Sequence, residues 1–345
     1  MTKTLINRSL SFKEMYVLKE LPEDFVVKEI SHEEMKDFGK FSYYLLWKRN
    51  RNTLDVIKEL AKRLHLSEKD IGIAGNKDKQ AITEQMISIP SRCSKEQVLA
   101  IQLEQISLTF CGYGDKPISL GDLAGNSFEI IVRDLSLDNP LHHIPTITFI
   151  PNYFDEQRFS KKNAEIGRCI IKKDFSPAVQ LINEVAVKEH LSHYPTDCVG
   201  ALKKLPLRLL RMYVNAYQSF LWNQAVAVLF RNDLKKEVAY SLGTFVFPHQ
   251  KHDIKVPLPG FDSKLMCKEV EEVMKKEGIS CRDFIIKQIP ELSLEGEWRE
   301  TCVDVMDFSA TMSDDELHEG KKKVRLTFTL PKGSYATIVV KSLFG

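Results

Sequence analysis

Several signatures of common enzyme classes are missing from this chain. It has no GxxxxGK[ST] phosphate-binding loop, no GxGxxG turn between a strand and a helix, no HExxH pair and no GxSxG elbow. Its seven cysteines form no CxxC pair and have no histidine nearby at metal-ligand spacing. Reduced thiols in a cytosolic protein are therefore expected, and nucleotide, zinc and serine-hydrolase chemistries lack support.

The chain also has little net charge and lacks long apolar runs. Forty-nine basic residues against forty-seven acidic residues give a net charge of +2, so no global field marks a nucleic-acid binder and any RNA surface must be a local patch. No apolar run approaches the roughly twenty residues of a membrane span, and residues 1–12 lack the features of a signal peptide. We therefore expect a cytoplasmic protein that neither crosses a membrane nor is exported.

What the sequence does have is a change of periodicity along its length. β-forming segments and one amphipathic helix alternate before residue 150, at 25–30, 41–47, 52–66, 82–89 (closed by Pro90) and 126–133. Helical spacing dominates from about residue 152, with helices expected over 176–190, 210–228 and 263–277. Alternation returns at the end and predicts a hairpin of strands at 324–330 and 335–341. The pattern indicates an α+β chain in which a helical insertion interrupts one discontinuous domain.

The most unusual local feature is a carboxylate between two lysines on a loop that leaves an apolar strand. The loop runs from Gly75 to Lys79 and places Asp78 between Lys77 and Lys79. Flanking cations favour the ionised form that a carboxylate nucleophile requires. Gly, Asn, Asp and Lys are also ordinary turn residues, so composition alone favours a solvated turn.

Aromatic and basic residues raise the same choice between function and structure. Phe25, Phe128 and Tyr335 each follow a backbone break, where a ring can stack on an unstacked base, although burial preference favours a core position.

Local basic clusters could contact phosphates, although each one alone is more typical of a solvated face. They are Lys48-Arg49 with Arg51, Lys161-Lys162, Lys203-Lys204 with Arg208 and Arg211, and Lys321 to Lys323.

Seven separated segments of the chain stand out as motifs. They are Lys19–Val27 (KELPEDFVV), Gly75–Gln85 (GNKDKQAITEQ), Gly125–Phe128 (GNSF), Pro151–Phe159 (PNYFDEQRF), Tyr217–Asn223 (YQSFLWN), Gly296 with Arg299, and Leu330–Thr337 (LPKGSYAT). In this order they resemble the motifs of the TruD family of tRNA pseudouridine synthases. The catalytic loop of the family reads GxKDxxAxTxQ, and its insertion opens with PNYFGxQRFG. Asp155 and Ser160 stand where that second motif has glycine. The resemblance spans nearly the whole chain and favours function over the turn and core interpretations.

The resemblance implies an α+β chain with a pseudouridine-synthase fold, which is an antiparallel sheet with flanking helices in permuted order. A mostly helical TRUD-type insertion interrupts that fold. We expect residues 1–151 and 301–345 to form the discontinuous catalytic domain and residues 152–300 to form the insertion.

The resemblance also implies a reaction, a substrate and site residues. The expected enzyme is an isomerase that converts a uridine, at position 13 of tRNA in the family, to pseudouridine, without cofactor or metal. Asp78 would be the nucleophile, with Lys19 and Lys77 holding it ionised. Phe128 would stack on the flipped uracil, and Phe25, Asn126 and Tyr335 would contact the nucleotide. The expected partner is tRNA, and the expected state is a monomer with no protein partner.

Two other classes of function remain open at this point. The first is a binding protein that chaperones tRNA, against which the intact Asp78, Asn126 and Phe128 argue. The second is a metal-dependent nuclease, whose carboxylates would have to come from Glu23, Asp24 and Asp78. Lysines beside Asp78 would compete with a cation, and activity that survives EDTA would separate the synthase from the nuclease.

Overall fold

The structure is a computed structural model that describes residues 16–136, 144–263 and 266–345, apart from the Lys161 side chain. The segment 1–12, considered above for a signal peptide, lies outside the described residues. Within them, no helix combines the length and the apolar character needed to cross a membrane.

Strands occur mainly in the first and last parts of the chain. In chain order they are β1 (Val17–Leu18), β2 (Phe25–Ile30), β3 (Phe41–Arg49), β4 (Gly72–Ile73), β5 (Ile82–Pro90), β6 (Ile106–Gly114), β7 (Gly125–Leu135), β8 (Phe149–Pro151), β9 (Leu234–Tyr240), β10 (Gly243–Pro248), β11 (Lys255–Leu258), β12 (Glu297–Glu300), β13 (Cys302–Asp304), β14 (Met306–Asp314) and β15 (Lys322–Pro331).

Helices concentrate in the middle of the chain. They are α1 (Thr53–Leu64), α2 (Lys95–Leu99), α3 (Glu156–Phe159), α4 (Asn163–Ile171), α5 (Phe175–Leu181), α6 (Val185–His193), α7 (Cys198–Lys203), α8 (Leu207–Phe230), α9 (Lys268–Glu277) and α10 (Ala336–Phe344).

The described residues divide into two compact units. Unit 1 lies within Met1–Thr148, Val305–Gly333 and Leu343–Gly345, and unit 2 lies within Phe149–Asp304 and Ser334–Ser342. The functional division into a catalytic domain and an insertion stays a prediction.

Unit 1 is built on one mixed sheet. Its strand order is β14-β15-β7-β2-β5-β3-β6, with β1 alongside β7 and β4 alongside β5. The pairs are antiparallel except for β2 and β5, which run parallel. The predicted α+β fold class is confirmed, with this one parallel pair as a correction to the expected antiparallel sheet.

Helix α1 forms where the sequence predicts it and packs beside the sheet. Asn52 caps it, because its side chain accepts a hydrogen bond from Leu54 N. The buried residues of the helix join Tyr44 and Leu46 of β3 and two isoleucines of β5 in one apolar cluster. Burial of this apolar stripe fixes the helix, and its first turn, against the sheet.

Unit 2 is organised around the long helix α8. Trp222 and Tyr217 of α8 are fully buried. Helix α4 approaches α8 closely at Gly167, where a Cβ atom would lie 2.0 Å from the carbonyl oxygen of Tyr213. Three two-stranded sheets complete the unit, namely β9 with β10, β11 with β12, and β8 with β13.

One long helix predicted over 176–190 is instead two helices. Helix α5 ends at Leu181 and α6 begins at Val185. Between them Ile182 takes an extended backbone conformation and is buried, with 4% of its surface exposed. Burying this side chain requires a break that helical spacing does not reveal.

The predicted return strand over 335–341 is wrong. β15 ends at Pro331, Gly333 takes a φ of 80°, and the chain then forms α10. Ala336, Val339 and Val340 are buried and follow the i, i+3, i+4 spacing of one helical face. Burial of this face outweighs the strand preference of the β-branched side chains in the segment.

Candidate active site

The sheet of unit 1 brings predicted site residues to one face through its register. Residues paired across neighbouring strands point to the same face, and every second residue along a strand returns to it. Two neighbouring rows on this face contain predicted site residues. The first row is Lys48, Thr83, Val27, Phe128 and Phe328, and the second contains Glu29 and Asn126.

Asp78 lies on the loop between β4 and β5 and is paired with Lys19. The Lys19 ammonium forms a salt bridge with Oδ2 of Asp78, and the two side chains are 23% and 25% exposed. The same Nζ atom lies 4.0 Å from the ring centroid of Phe25. Gln80 donates a hydrogen bond of 2.5 Å to the Lys19 carbonyl oxygen. Lys19 therefore supplies a positioned counter-charge for the partly exposed carboxylate of Asp78.

Lys48 contacts the backbone of the same aspartate. Its Nζ donates a hydrogen bond of 2.7 Å to the Asp78 carbonyl oxygen, and the residue is fully buried. Burial lowers the pKa of Lys48 to about 8, although the nearby negative charge of Asp78 acts in the opposite direction. The expectation that Lys48 contacts phosphates is therefore wrong, because its ammonium faces the candidate site instead of the solvent.

The first turn of α1 fixes the loop before Asp78. Thr53 Oγ1 accepts a hydrogen bond of 3.1 Å from Lys77 N and donates one of 3.1 Å to Gln85 Oε1. Gln85 Nε2 in turn donates to the Gly75 carbonyl oxygen at 3.0 Å. The loop thus has side-chain partners at both ends of the Gly75–Lys77 segment, which distinguishes it from a solvated turn.

Phe25 and Phe128 are both buried, at 4% and 7% exposed. Their ring centroids lie 6.4 Å apart in an edge arrangement, and Phe128 stacks on Phe328 at 5.4 Å. Both rings therefore lie in the core in this structure, as burial preference favours. Their contact with a flipped base stays a prediction.

Lys77 directs its ammonium to a different carboxylate. Its Nζ lies 2.8 Å from Oε2 of Glu29 and 2.6 Å from Oδ1 of Asn126. Lys19 forms an ion pair with Asp78, and Lys77 forms one with Glu29. A direct contribution of Lys77 to the charge state of Asp78 stays a prediction.

A buried ionic network supports the segment that carries Lys19 and Phe25. Arg133 binds Asp24 through two hydrogen bonds of 2.9 and 2.8 Å and binds Asp315 at 2.8 Å. Asp24 also accepts a hydrogen bond of 2.9 Å from Leu21 N. The hydrogen bond with Asp24 raises the pKa of Arg133 above its ordinary value. The network holds the turn before Phe25 in place from within the core.

Comparison with known proteins gives one consistent result. A family model described as tRNA pseudouridine synthase D (TruD) matches residues 15–185, 180–254 and 244–343. A tRNA pseudouridine synthase D from Aquifex aeolicus is 30% identical, and the alignment covers 95% of this chain and 97% of that protein. A protein from Methanosarcina acetivorans named "Probable tRNA pseudouridine synthase D" is also 30% identical, over 94% of this chain and 91% of its own length.

The same family appears among solved structures. A Methanosarcina mazei protein whose crystal structure carries the TruD designation superposes with a TM-score of 0.68 at 28% identity. The match covers 95% of this chain and 93% of that one. The chain belongs to the tRNA pseudouridine synthase D family. Membership confirms the resemblance, the fold and the predicted enzyme class, an isomerase of the tRNA pseudouridine synthase type.

The family motifs of unit 2 form their own cluster. Tyr335 lies in this unit, with its ring centroid 6.2 Å from that of Phe154. Arg299 packs over Phe154 at 4.1 Å and donates to the Asn152 carbonyl oxygen at 3.1 and 2.8 Å. Burial lowers the pKa of Arg299 to about 10. The predicted contact of Tyr335 with the nucleotide stays a prediction.

Asp155, which replaces a family glycine, is accommodated within unit 2. It is buried, with 3% of its surface exposed, and forms a salt bridge with Lys341 of α10. The departure from the motif is therefore matched by a cation from the C-terminal helix.

Sequence reasoning missed several residues that contact the candidate site. The missed polar residues are Glu29, Lys48, Thr53, Gln85 and Arg133. Two of them carried a usable signal: Gln85 is the last residue of the GxKDxxAxTxQ motif, and Lys48 alternates with the apolar Tyr44 and Leu46 and therefore shares their inward face.

Proposed function

We propose that this protein isomerises a uridine of tRNA to pseudouridine, with Asp78 as the nucleophile and without a cofactor. One observation carries the proposal above the others. The Asp78 carboxylate is partly exposed and paired with Lys19, and Lys48 donates a hydrogen bond to the Asp78 carbonyl oxygen. A positioned, ionised carboxylate is what a covalent mechanism at a sugar carbon requires.

The reaction changes the base atom through which the uracil is attached to its ribose. The bond between uracil N1 and ribose C1′ breaks, the base rotates, and C5 bonds to C1′. The proton on C5 leaves, and N1 ends with a proton, so no oxidant, reductant or second substrate is consumed. Asp78 would either attack C1′ or assist elimination of the base to a glycal, and both routes begin with its ionised form.

The target base must leave its helix before it can react. A duplex hides the atoms that change bonds, so the uridine is flipped out or taken from an unstacked position. We propose that Phe128 stacks on the base and that Phe25, Asn126 and Tyr335 contact the nucleotide. Family resemblance supports this assignment, as does the register that places Asn126 and Phe128 on one sheet face.

The substrate and setting follow from the family rather than from this site. We propose tRNA as the partner and position 13 as the target, in the cytoplasm, with the protein acting as a monomer. Residues 1–151 and 301–345 would catalyse the reaction, and residues 152–300 would select and grip the tRNA.

The test is release of tritium from tRNA labelled at uracil C5, with and without EDTA. The proposal predicts release that EDTA leaves unchanged and a pseudouridine at the reacted position. A tRNA chaperone would bind without release, and a metal-dependent nuclease would cut the RNA and lose that activity in EDTA. Mapping pseudouridine in total RNA from cells that lack the gene would identify the target.

A further inference from the structure

Lys77 contacts two acceptors at once, away from water. Its Nζ lies 2.8 Å from Oε2 of Glu29 and 2.6 Å from Oδ1 of Asn126. The Lys77 and Glu29 side chains are only 8% and 1% exposed. Asn126 stands opposite Glu29 in the register of β7 and β2. The three side chains therefore form one cluster on the sheet face that also carries Phe128.

This cluster fixes the orientation of the Asn126 amide. An ammonium group donates hydrogen bonds and cannot accept them. The amide oxygen and nitrogen of Asn are assigned from such partners, and here the partner permits only one choice. The atom facing Lys77 must be Oδ1, because Nδ2 in that place would set two donors against each other.

Glu29 keeps the Lys77 ammonium charged and in place, and the orientation of the Asn126 amide depends on that ammonium. A shielded ammonium needs a counter-charge, and Glu29 provides it. Met86 N donates a hydrogen bond of 3.1 Å to Glu29 Oε1 and holds the carboxylate. Glu29 Oε2 has no hydrogen bond within the described part of the chain, so its contact with Lys77 is that of an ion pair.

The orientation leaves the Nδ2 group of Asn126 facing away from Lys77. Across residues 16–136, 144–263 and 266–345, Nδ2 makes no hydrogen bond, and it is not among the buried polar atoms that lack a partner. It is therefore an accessible donor. It lies two residues before Phe128 on β7, a separation of about 7 Å along the strand.

We propose that the Glu29–Lys77 pair is a positioning device that presents Asn126 Nδ2 as a hydrogen-bond donor to a carbonyl oxygen of the uracil ring. Uracil carries carbonyl oxygens at C2 and C4, so the presented donor meets an acceptor on either side of N3. The inference rests on the proposed function, because it requires the base to enter on this face. It makes Asn126 a binding residue, while Glu29 and Lys77 act through it.

Asn126→Asp and Asn126→Ala separate this role from a structural one. Asp keeps an oxygen for Lys77 but adds a second negative charge beside Glu29, so thermal unfolding of the variant reports the structural cost separately from the loss of the donor. The proposal predicts a loss of activity in the folded variant, because Asp replaces the donor by an acceptor that repels a carbonyl oxygen. We expect kcat/KM for tritium release to fall about 10- to 100-fold in Asn126→Asp, at least as far as in Asn126→Ala.

A double-mutant cycle tests the part of Glu29. Glu29→Gln alone should lower kcat/KM by about tenfold, because the amide loses its fixed orientation. In the Asn126→Ala background the same change should have almost no further effect, since Glu29 acts on the substrate only through the Asn126 amide. Glu129→Gln, a carboxylate of β7 that pairs with Arg325, is the matched control and should retain activity. Thermal unfolding of each variant reports folding separately.

The outcomes distinguish this inference from the function on which it rests. If wild-type protein releases tritium and Asn126→Asp matches it, the donor role is wrong while the proposed function stands. If Asn126→Asp fails but Glu29→Gln effects are simply additive with Asn126→Ala, the positioning role of Glu29 is wrong. If wild-type protein releases no tritium from tRNA, the proposed function itself fails. Should Glu29→Gln not fold, the isosteric Asn126→Asp still decides the donor role.

Discussion

Replacing Lys48 by methionine should change how stability depends on pH. Lys48 is fully buried, and burial lowers its pKa to about 8 from the ordinary 10.5. Between those two values the unfolded chain holds a proton that the folded chain lacks. The free energy of unfolding of the wild type must therefore rise with pH through this window. Below it the lysine is charged in both states and the burial penalty is complete.

The size of the effect follows from the two pKa values. Their separation corresponds to about 3 kcal/mol, most of which is gained between pH 7 and pH 10. The methionine side chain in Lys48→Met would fill a similar space and does not titrate. We therefore expect the stability of the wild type relative to Lys48→Met to rise by about 2.5 kcal/mol over that range.

Urea unfolding at several pH values measures this difference. Lys79→Met is the matched control, because Lys79 is an exposed lysine of the same loop, and its difference from wild type should stay flat. A difference between wild type and Lys48→Met that is equally flat from pH 7 to pH 10 would refute the burial argument. Activity at pH 7 should also fall in Lys48→Met, since the Asp78 carbonyl oxygen loses its partner.

Two other substitutions test the aromatic site and the buried network. Phe128→Ala should slow tritium release without abolishing it, because losing a base-stacking partner costs about 1 to 3 kcal/mol; a rate equal to wild type would remove Phe128 from the base contact. Arg133→Gln should lower the free energy of unfolding by about 3 to 5 kcal/mol in urea, because Asp24 and Asp315 would remain buried without their cation. Arg325→Gln breaks an exposed pair with Glu129 and should cost less than about 1 kcal/mol; equal costs for the two arginines would contradict the network's role.

Local pattern predicted the elements whose burial follows one simple period. Helix α1 lies within the predicted range 52–66 and begins after Asn52, and β5 ends at Pro90, where the predicted strand closes. Helix α10 shows where this reasoning fails. Its β-branched residues favour a strand, yet the chain forms a helix in which Val339 and Val340 are buried, and only tertiary packing decides between the two structures.

The candidate site divides along a similar line. Family motifs pointed to Asp78 and Lys19, and the structure pairs them. Glu29 and Lys48 reach the same sheet face only through the pairing of β2, β5 and β3, which no single segment encodes. A one-residue change of register would turn both away, so their place in the site follows from the assembled sheet.

The central claim is that Asp78 carries the reaction, and Asp78→Asn tests it most directly. The change keeps the size of the side chain and removes the charge and the nucleophilic oxygen. Asp115→Asn is the matched control, because Asp115 forms an exposed pair with Lys36 in the same unit. Both variants should bind tRNA within about tenfold of wild type, a difference of about 1.4 kcal/mol.

The deciding measurement is tritium release from C5-labelled tRNA by Asp78→Asn, with binding measured on the same preparation. The account predicts release below detection at near wild-type affinity, while Asp115→Asn reacts at the wild-type rate. Substantial release by folded, tRNA-bound Asp78→Asn would show that another group is the nucleophile and would contradict the assignment of this site.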